Sequence, residues 1–172
     1  MKTKYIDNEI WLLSRLGAFQ RVKIYRSDAK AEDKREFNEA LKNHLNQLLK
    51  SEYFQEVPEE RHVDNIQNLS EFTKQFDKVL INGLNFGVSQ KLLNLYLKYH
   101  WCLDRIPTPP HFPVDSIIQN KLGLKVIPWT KMDGEKGKEE YLKIIASAKL
   151  QLKDSTLSNI AELELKLFER NM

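Results

Sequence analysis

Residues 88–103 read VSQKLLNLYLKYHWCL. Val88, Leu92, Leu93, Leu95, Tyr96, Leu97, Tyr99, Trp101, Cys102 and Leu103 spread apolar surface nearly all round a helix of period 3.6. A helix apolar on every side has no face to give to solvent, so it is expected at the centre of the fold, with Lys91 in its first turn. Asn82-Gly83 is a turn signal, and Gly87 punctuates the chain just ahead of the helix. Behind it, IPTPPHFP (106–113) holds four of the six prolines. Proline removes a donor and restricts the preceding residue, so this stretch is expected as a stiff connector.

Working outward, residues 6–17 carry Ile10, Trp11, Leu13 and Leu16 close to a helical stripe, and 18–25 alternates loosely as an extended segment would. From Ala31 to Tyr53, Phe37, Leu41, Leu45, Leu48 and Leu49 recur at spacings of three and four, with acids early and a lysine late, as the helix dipole prefers. Residues 54–66, polar and containing Pro58, read as a loop. In LSEFTKQFDKVL (69–80), Ser70 is the expected N-cap, and Phe72, Phe76 and Leu80 share one face. Asp115 is expected to open a short helix closed by Gly123. LKVIPWTK (124–131) reads as extended, and two helices are expected near 136–151 and 158–170. Whether 18–25 and 124–131 pair is open at this level. The expected fold is mainly α: a single helical domain over 1–172, with no internal repeat and no linker.

Hydrophobic residues make up 41% of the 172 and charged residues 30%, a balance that suits one globular domain with a real core. No stretch approaches the roughly 20 apolar residues that cross a bilayer. In MKTKYIDNEIWLL, Asp7 and Glu9 interrupt what a secretory signal would need, so no membrane partner or secretion is expected. One cysteine, Cys102, excludes an intramolecular disulfide and suits a reducing cytoplasm, the expected location. Charge is unevenly spread. Residues 82–131 hold six basic side chains (Lys91, Lys98, Arg105, Lys121, Lys125, Lys131) against Asp104 and Asp115, whereas 51–81 is acidic. The basic segment suits phosphate contact, or an ordinary solvated face.

Gly87-Val88-Ser89-Gln90-Lys91 begins the central helix, and Pro113-Val114-Asp115 follows the connector. In these two stretches the chain resembles the helix-hairpin-helix DNA glycosylase superfamily, and within it the lysine-bearing 8-oxoguanine DNA glycosylases. Their hairpin reads Gly-Val-Gly-x-Lys and is followed, after a helix, by Pro-Val-Asp. Ser89 stands where that pattern has its second glycine, and IPTPPHF lengthens the separation between lysine and aspartate. The resemblance implies a helix-hairpin-helix, double-stranded DNA as partner, Lys91 as a Schiff-base nucleophile and Asp115 as its activating carboxylate. It also implies that the Gly83–Ser89 turn, with Gly83, Gly87 and Ser89, offers backbone N–H groups to a phosphate. A lysine amine attacks only when unprotonated, which an apolar site favours. The structural alternatives are a lysine snorkelling from a packed helix and an aspartate acting only as an N-cap.

Further DNA-contact candidates are Lys98 and Lys121 in the basic segment, His111 between prolines, and Trp129 in VIPWTK, which suits base stacking or core packing. His100, Cys102, Asp104 and His111 lie close in sequence but match no paired metal-ligand pattern, so no metal is expected. P-loop, GxGxxG and GxSxG patterns are absent, and no cofactor is expected; a single cysteine also excludes an iron–sulfur cluster. Three functions remain: a base-excision glycosylase with or without lyase action, a DNA-binding module without chemistry, and a helical interaction domain. The sequence leaves the oligomeric state open.

Overall fold

The computed structural model describes residues 1–168. Among the described residues the chain forms seven α-helices and one 3-10 turn: α1 (Lys2–Phe19), α2 (Ala31–Glu52), α3 (Glu59–Thr73), α4 (Phe86–Trp101), α5 (Ser116–Lys121), the 3-10 turn Trp129–Lys131, α6 (Gly134–Leu152) and α7 (Ile160–Leu167). None is long and apolar enough to cross a membrane.

The central helix is α4, as its all-round apolar pattern requires: residues 86–94 are buried without a break, and so are Tyr96, Leu97 and His100. Its polar residues tie it to its neighbours. Tyr96 donates to Asn46 of α2 at 2.7 Å, Asn94 meets His62 of α3 at 3.0 Å, and Asn94 donates to Tyr141 of α6 at 3.0 Å. Across α4, α2 presents Phe37, Leu41, Leu45 and Leu49 to the core, and Phe37 meets Phe76 edge-on at 5.1 Å.

Residues 54–66, expected as a loop, contain the start of α3. Pro58 is its N-cap, and Glu59 and Glu60 stand in the first turn, where they complement the helix dipole. The buried face of α3 includes His62, Asn65, Ser70 and Thr73 as well as Val63, Ile66 and Leu69. More than half of the buried stripe is therefore polar, which conceals it from a hydrophobicity reading. Ser70 is not an N-cap but lies within α3 and donates to the Leu84 carbonyl at 2.6 Å. Phe76 and Leu80 lie beyond the helix end.

The segment at 18–25 is not a strand either. Helix α1 continues through Phe19, and only Tyr25 forms an isolated antiparallel bridge, with Leu80. Residues 124–131 therefore have no partner in 18–25; they run as irregular backbone into the 3-10 turn. The last helix, expected over 158–170, occupies Ile160–Leu167, and positions 169–170 lie outside the described residues.

Candidate functional site

Lys91 and Asp115 meet. The Lys91 Nζ lies 2.6 Å from Asp115 Oδ2, and the two side chains are 8% and 13% exposed. The aspartate comes from the N-cap of α5, where its other oxygen, Oδ1, accepts from the Ile118 N–H at 2.9 Å. One carboxylate thus caps a helix and holds a cation.

The pair lies in a cleft of about 380 Å³. Leu13 and Leu16 of α1 form one wall, Leu95 and Tyr99 of α4 continue the face that carries Lys91, and Trp129 and Ile117 line the remainder, with Arg21 also on the lining. The Lys91 ammonium lies 5.9 Å from the centre of the Trp129 ring, within reach of its π face. Burial pulls the Lys91 amine below the ordinary lysine range, and the adjacent Asp115 charge opposes that shift. Helix α4 begins two residues earlier than expected, so Lys91 sits in its second turn, where the field of the helix end has faded. Desolvation, not the dipole, weakens this ammonium. Two turns further along, Lys98 bonds the buried Glu164 of α7 at 2.6 Å, and burial raises the Glu164 carboxyl above its usual range.

No family model, curated protein or solved structure matches this chain.

The structure disperses several of the DNA-contact candidates. Gly87 is buried, and its N–H donates to the Met132 carbonyl at 2.9 Å. A side chain there would meet the Trp129 carbonyl oxygen at 1.7 Å, so this glycine serves close backbone packing. The Val88 N–H goes to the Asn85 side chain, the Ser89 N–H to the Asn85 carbonyl, and the Leu84 N–H to Thr73 Oγ1. These amides are satisfied within the protein, which contradicts a phosphate cradle built from them. Ser89 is fully buried, with no hydrogen-bond partner for its hydroxyl among the described residues. Gly83 is half-buried at φ 72°, a conformation that favours glycine. Lys98 is engaged by Glu164. Trp129 is buried yet faces the cleft, and Lys121 is exposed.

His111 does not reach the surface. It is fully buried, with Nδ1 2.8 Å from the Tyr141 hydroxyl and Nε2 2.8 Å from Glu59. Lys149 holds the other Glu59 oxygen. His62 stands edge-on to His111, with ring centres 5.0 Å apart, and bonds Tyr53 at 2.7 Å and Asn94 at 3.0 Å. Burial pushes His111 down to about 4 and His62 well below its ordinary value. Both rings are therefore neutral in the fold, whereas in the unfolded chain they titrate near 6.5. Between pH 6.5 and about 4 the unfolded state binds more protons, so stability is lost as pH is lowered, by up to about 1.4 kcal/mol per unit for each ring. Urea unfolding at pH 7 and pH 5 measures this, and equal midpoints would contradict two neutral buried histidines.

Sequence reasoning missed the rest of the cleft. Leu95 and Tyr99 lie four and eight residues after Lys91, on one helical face, and that signal was present. Nothing in the sequence brings Leu13, Leu16 or Arg21 to a lysine so far along the chain. Among the described residues no three His, Cys, Asp or Glu side chains converge as metal ligands would.

Proposed function

We propose that the chain is a DNA-binding protein that removes a damaged base by glycosidic cleavage, with Lys91 as nucleophile and Asp115 as its proton acceptor. The observation that carries this reading is the 2.6 Å contact between these two side chains inside a cleft. The cleft volume falls in the range of ligand pockets, about 300–1,000 Å³, which suits an extruded base and its sugar. Asp115 accepts the ammonium proton, and burial lowers the cost of losing it. The amine Nζ then bonds to C1′ while the C1′–N bond breaks, its electron pair leaving with the base. Asp115 passes a proton to the departing base. Nζ then gives one proton to water while O4′ takes one from water, and breaking of the C1′–O4′ bond opens the ring and leaves a protonated imine between Lys91 and C1′. Trp129 and Tyr99 offer aromatic surface for the base.

Exposed Lys121, Lys125 and Lys131 flank the cleft-lining residues Ile117 and Trp129 in the chain, and none makes an ion pair among the described residues. They suit phosphate contacts, and equally support the second reading, a DNA-binding helical protein without chemistry. Borohydride trapping on duplexes carrying oxidised, alkylated and abasic sites separates the two. The enzyme reading expects a covalent protein–DNA adduct that Lys91→Ala abolishes. Salt-sensitive DNA binding with no adduct on any duplex would leave the second reading.

A further inference from the structure

The connector that delivers Asp115 has almost no backbone support of its own. Among the described residues, no backbone N–H from residue 106 to 115 donates to another backbone group, and Pro107, Pro109, Pro110 and Pro113 have no N–H to donate. A chain of this kind is stiff within itself, and its ties to the helices around it run through side chains, such as the His111 ring bonded to Tyr141 and Glu59. Asp115 must nevertheless be held in place for its carboxylate to face Lys91 Nζ at 2.6 Å.

The anchor next to Asp115 is the side chain of Gln90. Gln90 precedes Lys91 on α4 and is fully buried. Its Nε2 donates to the Val114 carbonyl at 2.8 Å, and its Oε1 accepts from the Val114 N–H at 3.1 Å. Both polar groups of one peptide residue are thus taken by one amide, as a neighbouring β-strand would take them. Asn94, one turn along α4, donates to the same Oε1 at 3.3 Å and is itself held by His62 and Tyr141. The amide cannot rotate without breaking buried hydrogen bonds. Consecutive residues on one helix, Gln90 and Lys91, therefore grip consecutive residues of the connector, Val114 and Asp115.

We propose that Gln90 is the positioning residue of this site: its amide clamps the Val114 backbone and so holds the Asp115 carboxylate against the Lys91 amine. The catalytic meaning of the clamp rests on the glycosylase reading, whereas the clamp itself is a statement about geometry. In the wild-type protein the Val114 amide exchanges with solvent as slowly as the amides of α4. In Gln90→Met, which keeps the volume and removes both bonds to Val114, the connector loosens where it enters α5; Asp115 keeps its cap bond to the Ile118 N–H but no longer holds its other oxygen against Lys91, which loses its counter-charge while staying buried. The Lys91 ¹³Cε titration followed by NMR then moves downward by about one unit or more, toward that of Asp115→Asn. The Gln90→Met/Asp115→Asn double variant titrates as Asp115→Asn alone, because a residue acting through Asp115 has nothing left to act on.

Three results would overturn the clamp. They are a Val114 amide that exchanges as a free loop amide does, an unshifted Lys91 titration in folded Gln90→Met, and additive shifts in the double variant. The exchange measurement needs no variant, so a misfolded Gln90→Met leaves the test intact. None of the readouts involves DNA. A shifted titration with no trapped adduct removes the glycosylase and keeps the clamp, while a trapped adduct with an unshifted titration removes the clamp alone.

Discussion

Gly87→Ala is expected to lower the stability of the fold by about 3 kcal/mol or more, a large share of what a domain of this size possesses. The added carbon would stand 1.7 Å from the Trp129 carbonyl oxygen and 2.9 Å from its carbonyl carbon. These are backbone atoms, so no rotamer change relieves the clash. The 3-10 turn must move off α4, and with it go the bond from the Gly87 N–H to Met132 and the wall of the cleft that Trp129 provides. Gly123 supplies the contrast. It adopts φ 70° with open space around it, so Gly123→Ala meets only backbone strain, about 1 kcal/mol. Urea denaturation of the two variants beside the wild type gives the comparison. A Gly87→Ala midpoint equal to that of Gly123→Ala would show that α4 and the 3-10 turn do not pack at this distance.

Asp115→Asn is expected to cost about 3 kcal/mol or more at neutral pH, because it leaves the buried Lys91 ammonium without its partner. Asparagine caps a helix as well as aspartate, so α5 keeps its N-cap and the loss reports the charge alone. Asp115→Ala removes both roles and is expected to lose about 1 kcal/mol more. The pH dependence has a definite sign. Burial already holds Lys91 below its ordinary value, with Asp115 opposing the shift. Removing the carboxylate lowers the folded-state value further, while the unfolded chain titrates near 10.4. The folded variant therefore sheds the Lys91 proton at a lower pH than the wild type does. Its stability deficit is full on the acid side of that point and narrows as pH rises toward 10. Chemical denaturation of Asp115→Asn and wild type at pH 7 and pH 9.5 tests this, and a deficit that widened with pH would exclude a buried, paired Lys91.

The central helix was legible because its composition leaves no alternative: a segment apolar on every side must be surrounded. Helix α2 was legible for the complementary reason, a clean stripe of Phe37, Leu41, Leu45 and Leu49 against charged faces. Helix α3 was not, because its buried stripe carries His62, Asn65, Ser70 and Thr73. Those residues are polar in a sequence and satisfied only in a structure, His62 by Tyr53 and Asn94, Asn65 by Tyr53, Ser70 by the Leu84 carbonyl, and Thr73 by the Ser70 carbonyl and the Leu84 N–H. His111 misled for the same reason: a histidine among prolines looks like a loop residue until Tyr141 and Glu59 are placed on either side of its ring.

At the site, the residue types of Lys91 and Asp115 and their place at the edges of two helices belong to the sequence. So does the turn preceding α4, though not the fate of its amides, which Asn85, Met132 and Thr73 take up. What the amino-acid order determined by itself was the local part: which segments bury a face, where prolines stop a helix, and which aspartate can cap one. Tertiary structure alone decided that α1 closes over Lys91, that Gln90 grips Val114, and that Trp129 lies against Gly87. Local periodicity records only whether a residue is to be buried. The partner it is buried against depends on chain segments tens of residues away, and hydrogen bonds and ion pairs are formed with the partner.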